Sequence, residues 1–333
     1  MATTSSGRDL LRSRIPMTVI TGFLGSGKTT LLNALLATPQ AANTAVIINE
    51  YGEVGVDHDL VQNIAESVTL LDNGCVCCVV RGDLETALRE MFLARRAGQM
   101  ANFERVILET TGLADPGPVV QTFFVDEQIK EKLYVNGVVT LVDAKHILQH
   151  IDENDEAAEQ IAFADVLLLN KCDLVSEADL VSLENRIRDV NALAVIHRTT
   201  RADIDIAKVM DVGGFNLDRA MEVNPHFLES GHHHHHSHIS SVGIEAPGDC
   251  DGKKLNDWLS KLVQEQGADI FRMKGVFAVK NQTDRVIFQG VHMLIDAANG
   301  GPWGDRPRKN SLVFIGRHLD REALNAGFRS CLA

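Results

Sequence analysis

No stretch of this chain stays apolar for the roughly 18–20 residues that a bilayer-spanning helix requires, which argues against an integral membrane protein. The first sixteen residues hold Arg8, Arg12, Arg14 and several Ser and Thr, but no apolar block of about 7 residues, so they do not read as a secretory leader. The expectation is a short disordered tail over 1–16 on a cytoplasmic protein. Basic residues are in deficit: 32 Lys and Arg stand against 45 Asp and Glu, a formal charge of −13. A general nucleic-acid binder would carry a basic stripe, and a protein docked on anionic lipid would need basic clusters, so neither class fits. Cysteine is sparse and uneven. Of six, Cys75, Cys77 and Cys78 crowd together while Cys172, Cys250 and Cys331 are scattered. A secreted disulfide framework would spread them, so the cluster points to metal or redox chemistry instead. No internal repeat is visible.

What is present is ordinary globular composition over 333 residues, enough for two domains with sizeable cores. Apolar, often β-branched runs at 17–21, 44–48, 67–71, 104–109, 136–142, 165–169 and 193–196 suit strands buried on both faces of a parallel sheet. Helical periods lie between them, as in Leu84, Leu88, Met91 and Phe92, or Leu180, Leu183, Ile187 and Val190. This alternation predicts a doubly wound α/β domain over 17–210. Residues 211–238 break the rhythm with glycines and histidines and read as a linker. Residues 239–333 read as a smaller α+β domain. It has an amphipathic helix through Leu255, Trp258, Leu259, Leu262 and Val263, strands at 270–280, 284–291 and 311–316, a turn-rich segment Asn299–Pro307, and a closing helix at 320–331.

Gly22-Phe23-Leu24-Gly25-Ser26-Gly27-Lys28-Thr29 matches GxxxxGK[ST] between a strand and a helix that carries Leu31, Leu32, Leu35 and Leu36. Gly22, Gly25 and Gly27 let backbone N–H groups turn inward around phosphate oxygens, with Ser26 and Thr30 beside them, and the helix N-terminus favours negative charge. Lys28 is expected to reach the β- and γ-phosphates and Thr29 to ligate Mg²⁺. The 104–109 strand ends in Glu109-Thr110-Thr111-Gly112. Its carboxylate suits the Mg²⁺ and attacking-water side of the site, and the Gly112 N–H suits the γ-phosphate. Lys28 and Glu109 are therefore the candidate catalytic residues. Asn170-Lys171-Cys172-Asp173, at the end of the 165–169 strand, has the spacing of a guanine-reading element. There the Asp173 carboxylate would accept two N–H groups that adenine does not offer, while Asn170 and Lys171 brace the base and the loop. Three motifs in this order favour GTP over ATP, and a kinase or ATPase on the same loop is the disfavoured reading.

Cys75, Cys77 and Cys78 are expected in a turn at the carboxyl edge of the sheet, where ligands collect in such folds. Soft thiolates select Zn²⁺ and similar metals over Mg²⁺, and four residues do not close a tetrahedral shell, so a further ligand is expected from Glu50, Glu53 or His58. A transferable metal is favoured over a structural metal, a redox pair or simple packing. His232, His233, His234, His235 and His236 form an unbroken run suited to loose capture of Zn²⁺, Ni²⁺ or Co²⁺, although a tag or a merely solvated linker would look the same. His146, His150, His197, His292 and His318 are read as structural or surface residues.

The phosphate loop, Asn49-Glu50-Tyr51-Gly52-Glu53, Asn73 to Cys78, Glu109 to Pro116 and Asn170 to Asp173 together resemble the CobW-like family of GTPase metal chaperones. The resemblance is close over 17–175 and weaker over 239–331. It implies slow GTP hydrolysis, Mg²⁺ as cofactor, and delivery of a transition metal, zinc first and cobalt next, to a metalloprotein client. It assigns Cys75, Cys77 and Cys78 to the transported metal, and it leaves room for a homodimer. A regulatory GTPase with a structural metal, acting on a protein client, is the alternative.

Overall fold

The computed structural model describes residues 14–50, 69–70, 76–81, 84–112, 114–210, 212 and 239–333. These form two compact units, with the main division between residues 214 and 215. Among the described residues no helix is long and apolar enough to cross a membrane.

The first unit runs β1 (Ile15–Gly22), α1 (Lys28–Leu36), β2 (Thr44–Glu50), β3 (Thr69–Leu70), β4 (Val76–Arg81), α2 (Leu84–Arg96), β5 (Arg105–Thr110), α3 (Pro116–Val125), α4 (Glu127–Lys130), β6 (Leu133–Asp143), α5 (Ile147–Glu153), α6 (Asp155–Phe163), β7 (Val166–Asn170), α7 (Glu177–Val190), β8 (Val195–Arg198) and α8 (Ala207–Met210). The strands make one sheet in the order β3-β4-β2-β5-β1-β6-β7-β8. All pairings are parallel except β3 on β4. Ile20, Val46, Ile48, Ile107, Val139, Leu141 and Leu168 pack with Leu31, Leu32, Leu35 and Leu36 of α1 in one buried cluster. Each leucine so buried contributes roughly 1.5–3 kcal/mol. That apolar stripe decides which way α1 faces, and so fixes the helix N-terminus at the end of β1.

The structure departs from expectation around the cysteines. The 67–71 run is not a full parallel strand: β3 is two residues long and antiparallel, with Thr69 opposite Cys77 and Leu70 opposite Val76. Cys77 and Cys78 are not in a turn at the carboxyl edge. They lie within β4, opposite Val46 and Ile47 of β2. Val76, Val79 and Val80 flank them, and β-branched neighbours favour an extended backbone. Cys77 is four residues before Arg81, the end of β4, or about 13 Å of strand below that edge. Cys75, Glu53, His58 and His232 to His236 lie outside the described residues, as does the linker apart from residue 212.

The second unit runs β9 (Ile239–Pro247), α9 (Gly252–Gln266), β10 (Ile270–Phe277), β11 (Asp284–Val291), β12 (Leu294–Pro302), β13 (Lys309–Arg317) and α10 (Arg321–Arg329). Its sheet is antiparallel throughout, in the order β12-β11-β10-β13-β9. Leu255, Leu259, Leu262 and Val263 of α9 and Leu324 and Phe328 of α10 pack with Met273, Phe277, Phe288, Leu312 and Phe314. Trp258 meets Phe314 edge-on at 6.2 Å and Phe328 at 5.9 Å. Two strands were not expected. β9 shows period-2 patterning at Val242, Ile244 and Ala246, all buried. β12 takes in part of the segment read as turn-rich, pairing Asn299 with Val286 and Pro302 with Asp284. An edge strand bonds to one neighbour only, so it tolerates this Gly- and Pro-containing sequence.

Candidate nucleotide and metal sites

The carboxyl ends of β1, β5, β6 and β7 come together at one edge of the sheet. Gly22 has φ 143° and lies so close to β6 that a Cβ there would sit 2.3 Å from the Leu141 carbonyl oxygen. Gly25 (φ 72°) and Gly27 (φ 110°) are also left-handed, which bends the loop around its own N–H groups. Gly27 caps α1 without a side-chain hydrogen bond, so the first N–H groups of that helix face the loop. Lys28 is buried, and its Nζ donates to Gly22 O (2.8 Å) and Phe23 O (3.3 Å), holding the loop's shape. Ser26 Oγ is fully buried and makes no hydrogen bond. Thr29 is half-buried and Thr30 exposed on α1. This inward-facing cradle, with a buried hydroxyl lacking a partner, fits a polyphosphate.

Glu109 is buried at the end of β5, between Ile20 of β1 and Ile48 of β2. Thr110 Oγ1 donates to Thr21 Oγ1 at 2.8 Å and ties β5 to β1 at this level. The turn after β5 is held from α6. Gln160, buried, donates its Nε2 to Gly112 O (3.0 Å) and Ala114 O (3.1 Å). A Cβ on Gly112 would meet Leu24 of the phosphate loop at 2.5 Å, so turn and loop are in close approach. Asp115 then caps α3 by accepting from Gly117 N, with Pro116 at the first helical position.

Asn170 does more bracing than its motif suggests. Its Nδ2 donates to Ser26 O at 2.9 Å, while its Oδ1 accepts from Ala202 N (2.9 Å) and Thr199 Oγ1 (3.2 Å). One buried amide thus joins the phosphate loop to the loop after β8. Lys171 is left-handed (φ 63°), which turns the chain so that its Nζ reaches Asp143 Oδ2 at 2.8 Å. Asp173 is exposed in the short 3₁₀ turn Cys172–Leu174.

Asp143 and Gln160 brace these elements and were passed over by motif reading. Asp143 carries the same signal as Glu109, an acid at the end of an apolar strand, whereas Gln160 sits in a helix with nothing to mark it. Burial pushes the Asp143 carboxyl up, but hydrogen bonds from Lys171 Nζ, His146 Nδ1 (2.9 Å) and the Lys145 N–H outweigh it and hold it below the ordinary carboxylate range. Cys172 is partly buried and burial pushes its thiol up. Burial likewise raises Cys331, and brings Cys250 to about 12. A raised thiol forms the thiolate less readily, so these three are poor thiolate donors.

Comparison with known proteins bears on the same elements. The family profile described as "CobW/HypB/UreG, nucleotide-binding domain" matches residues 16–198, and "Cobalamin synthesis protein cobW C-terminal domain" matches 239–332. The chain is 36% identical to the zinc chaperone YjiA of Escherichia coli, over 94% of this chain and 98% of that protein. It is 31% identical to the zinc-regulated GTPase metalloprotein activator 1 of Schizosaccharomyces pombe, over 92% and 83% respectively. Crystal structures of zinc-bound YjiA superpose with TM-scores of 0.77 for the protein itself and 0.78 for a triple mutant in which one glutamate and two adjacent cysteines are alanine. Each covers 96% of this chain and 99% of the other at 32% identity. With matched profiles over both units and relatives matched nearly end to end, the chain belongs to the CobW family, a P-loop nucleotide-binding domain followed by the CobW C-terminal domain.

Proposed function

We propose that this protein hydrolyses GTP and uses the cycle to hold zinc and release it to a metalloprotein client. The observation that carries the nucleotide half is the Asn170 amide, which links Ser26 of the phosphate loop to Ala202, with Lys171 and Asp173 following it in the chain. Asp173 reads guanine. Lys171 exchanges its partner Asp143 for the base and loop, and Lys28 moves from the Gly22 and Phe23 carbonyls to the phosphates. The Gly112 N–H faces the γ-phosphate. Thr29 and Glu109 hold Mg²⁺, which supplies neutralisation of the triphosphate charge. The chain is organised as a GTPase domain over 17–210, a His-rich linker over 211–238 and a C-terminal domain over 239–333 that meets the client or a second copy.

The cargo half rests on the sequence cluster Cys75, Cys77 and Cys78. β2 lies between β4 and β5, pairing Val46 with Cys77 on one side and with Ile107 on the other. One strand therefore joins the cysteine strand to the strand that carries Glu109. Zinc is favoured over cobalt by the names of the relatives, which include zinc chaperones. The remaining ligand is proposed from Glu50, Glu53 or His58, which lie at and after the end of β2 in the sequence. Bound GTP tightens the thiolate site, and hydrolysis loosens it. By linkage, zinc must tighten GTP binding by the same factor.

The test is zinc and cobalt affinity by competition with a chromophoric chelator, with Mg²⁺ plus GTP, GDP or neither. A GTP-dependent gain that disappears in Cys77→Ser is expected. Equal affinity in the three states refutes the coupling and favours a regulatory GTPase with a structural metal, in which Cys77→Ser would lower folding stability.

A further inference from the structure

We propose that His146 and His150 form a second, exchangeable transition-metal site against the phosphate loop, distinct from the cysteine cluster. His146 precedes α5 and His150 lies one turn on, its N–H donating to the His146 carbonyl at 3.1 Å. That is the i, i+4 spacing at which two imidazoles on one helical face take a common metal ion. Their ring centroids are 6.3 Å apart, with planes inclined by 51°. Two imidazoles sharing an ion at Zn–N bonds of about 2.0–2.1 Å place their centroids about 5–6 Å apart, within reach of a small rotation of the exposed His146 ring.

Two contacts prepare the rings. His146 Nδ1 lies 2.9 Å from Asp143 Oδ2, and facing an ionised carboxylate it must donate. Its Nε2 is then the free lone pair, and the carboxylate fixes the tautomer and the ring orientation, as for metal-ligating histidines generally. His150 packs on Phe23 of the phosphate loop, ring centroids 4.4 Å apart, which restricts its χ rotation. Among the described residues no group of three or more His, Cys, Asp or Glu converges, and the two imidazoles are the protein ligands the proposal names. Neutral imidazoles select Zn²⁺, Ni²⁺, Co²⁺ or Cu²⁺ over Mg²⁺ and Ca²⁺. The site would stay vacant for the ion that accompanies the nucleotide and fill only from the transition-metal pool.

The experiment is carbethoxylation of the full-length, metal-free chain with and without Zn²⁺, read residue by residue by mass spectrometry. Zn²⁺ is expected to slow modification of His146 and His150 while leaving His292 and His318 unchanged. The His150→Gln variant, at a partly exposed position, is expected to fold normally and to lose zinc protection of His146. Asp143→Asn should raise the zinc concentration for half-protection by about 10-fold or more. Absence of protection overturns the proposal. So does protection of His146 that survives His150→Gln, or that vanishes in Cys77→Ser with both histidines intact.

Discussion

The Asn170 amide permits an isosteric test of the phosphate-loop brace. In Asn170→Asp the acceptor toward Ala202 N and Thr199 Oγ1 is kept, but the donor toward Ser26 O becomes a second carboxylate oxygen facing a carbonyl at 2.9 Å. The loss is one buried hydrogen bond, about 1 kcal/mol net, plus the cost of an unsatisfied, repelled carbonyl, about 1–2 kcal/mol. If the whole of this about 2–3 kcal/mol falls on the loop conformation that binds phosphate, GTP affinity drops about 30- to 150-fold. The introduced carboxyl is buried, which raises its pKa, and once protonated it again donates to Ser26 O. Affinity for a fluorescent GTP analogue, measured by displacement between pH 8 and pH 5.5, should therefore recover in the variant as pH falls, relative to the parent protein. Parental affinity at pH 8, or a defect that does not recover in acid, would show that Asn170 does not set the loop through its donor.

Gln160→Leu removes the two hydrogen bonds that hold the 112–114 turn and should cost about 1–3 kcal/mol in denaturant unfolding, together with part of the preference for GTP over GDP. Asp126, the cap of α4, is lowered from 3.8 to about 2, first by its hydrogen bond from Arg89 and then by the Ile129 N–H. A depressed folded-state pKa means the unfolded state binds the proton first. Its contribution is therefore full above about pH 5 and is lost as pH falls toward 2, and an acid titration of Arg89→Ala should show a shallower loss. Phe328, fully buried between Trp258 and Phe277, should cost about 3–5 kcal/mol as Phe328→Ala, read as an earlier thermal transition.

The cysteine segment shows where local reading reached its limit. The apolar run at 67–71 is longer than the two residues that pair, while Val76 to Arg81, interrupted by two cysteines, forms the full strand. Hydrophobicity marks burial, but strand length depends on whether a neighbour offers a matching edge. Here β2 offers that edge to β4. β12 makes the same point: Asn299 to Pro302 has the composition of a turn and pairs because β11 lies beside it. In the sequence His146 and His150 read as structural or surface residues. Their spacing was there to read, but Asp143 and Phe23, which orient the rings, come from a strand end and a distant loop.

The sequence by itself determined the order of strand and helix in the first unit outside the cysteine segment, the phosphate loop, the acid near the end of β5 and the Asn170–Asp173 motif. Each of these is written in contiguous residues whose backbone demands are local: glycines for left-handed φ, apolar periods for strand and helix, a carboxylate where a strand stops. Only the tertiary structure decided that Asn170 reaches back 144 residues to Ser26, that Gln160 holds Gly112, and that Asp143 serves Lys171 and His146 together. A buried polar side chain must find its partner wherever packing brings one, and that partner is chosen by the sheet order rather than by distance along the chain.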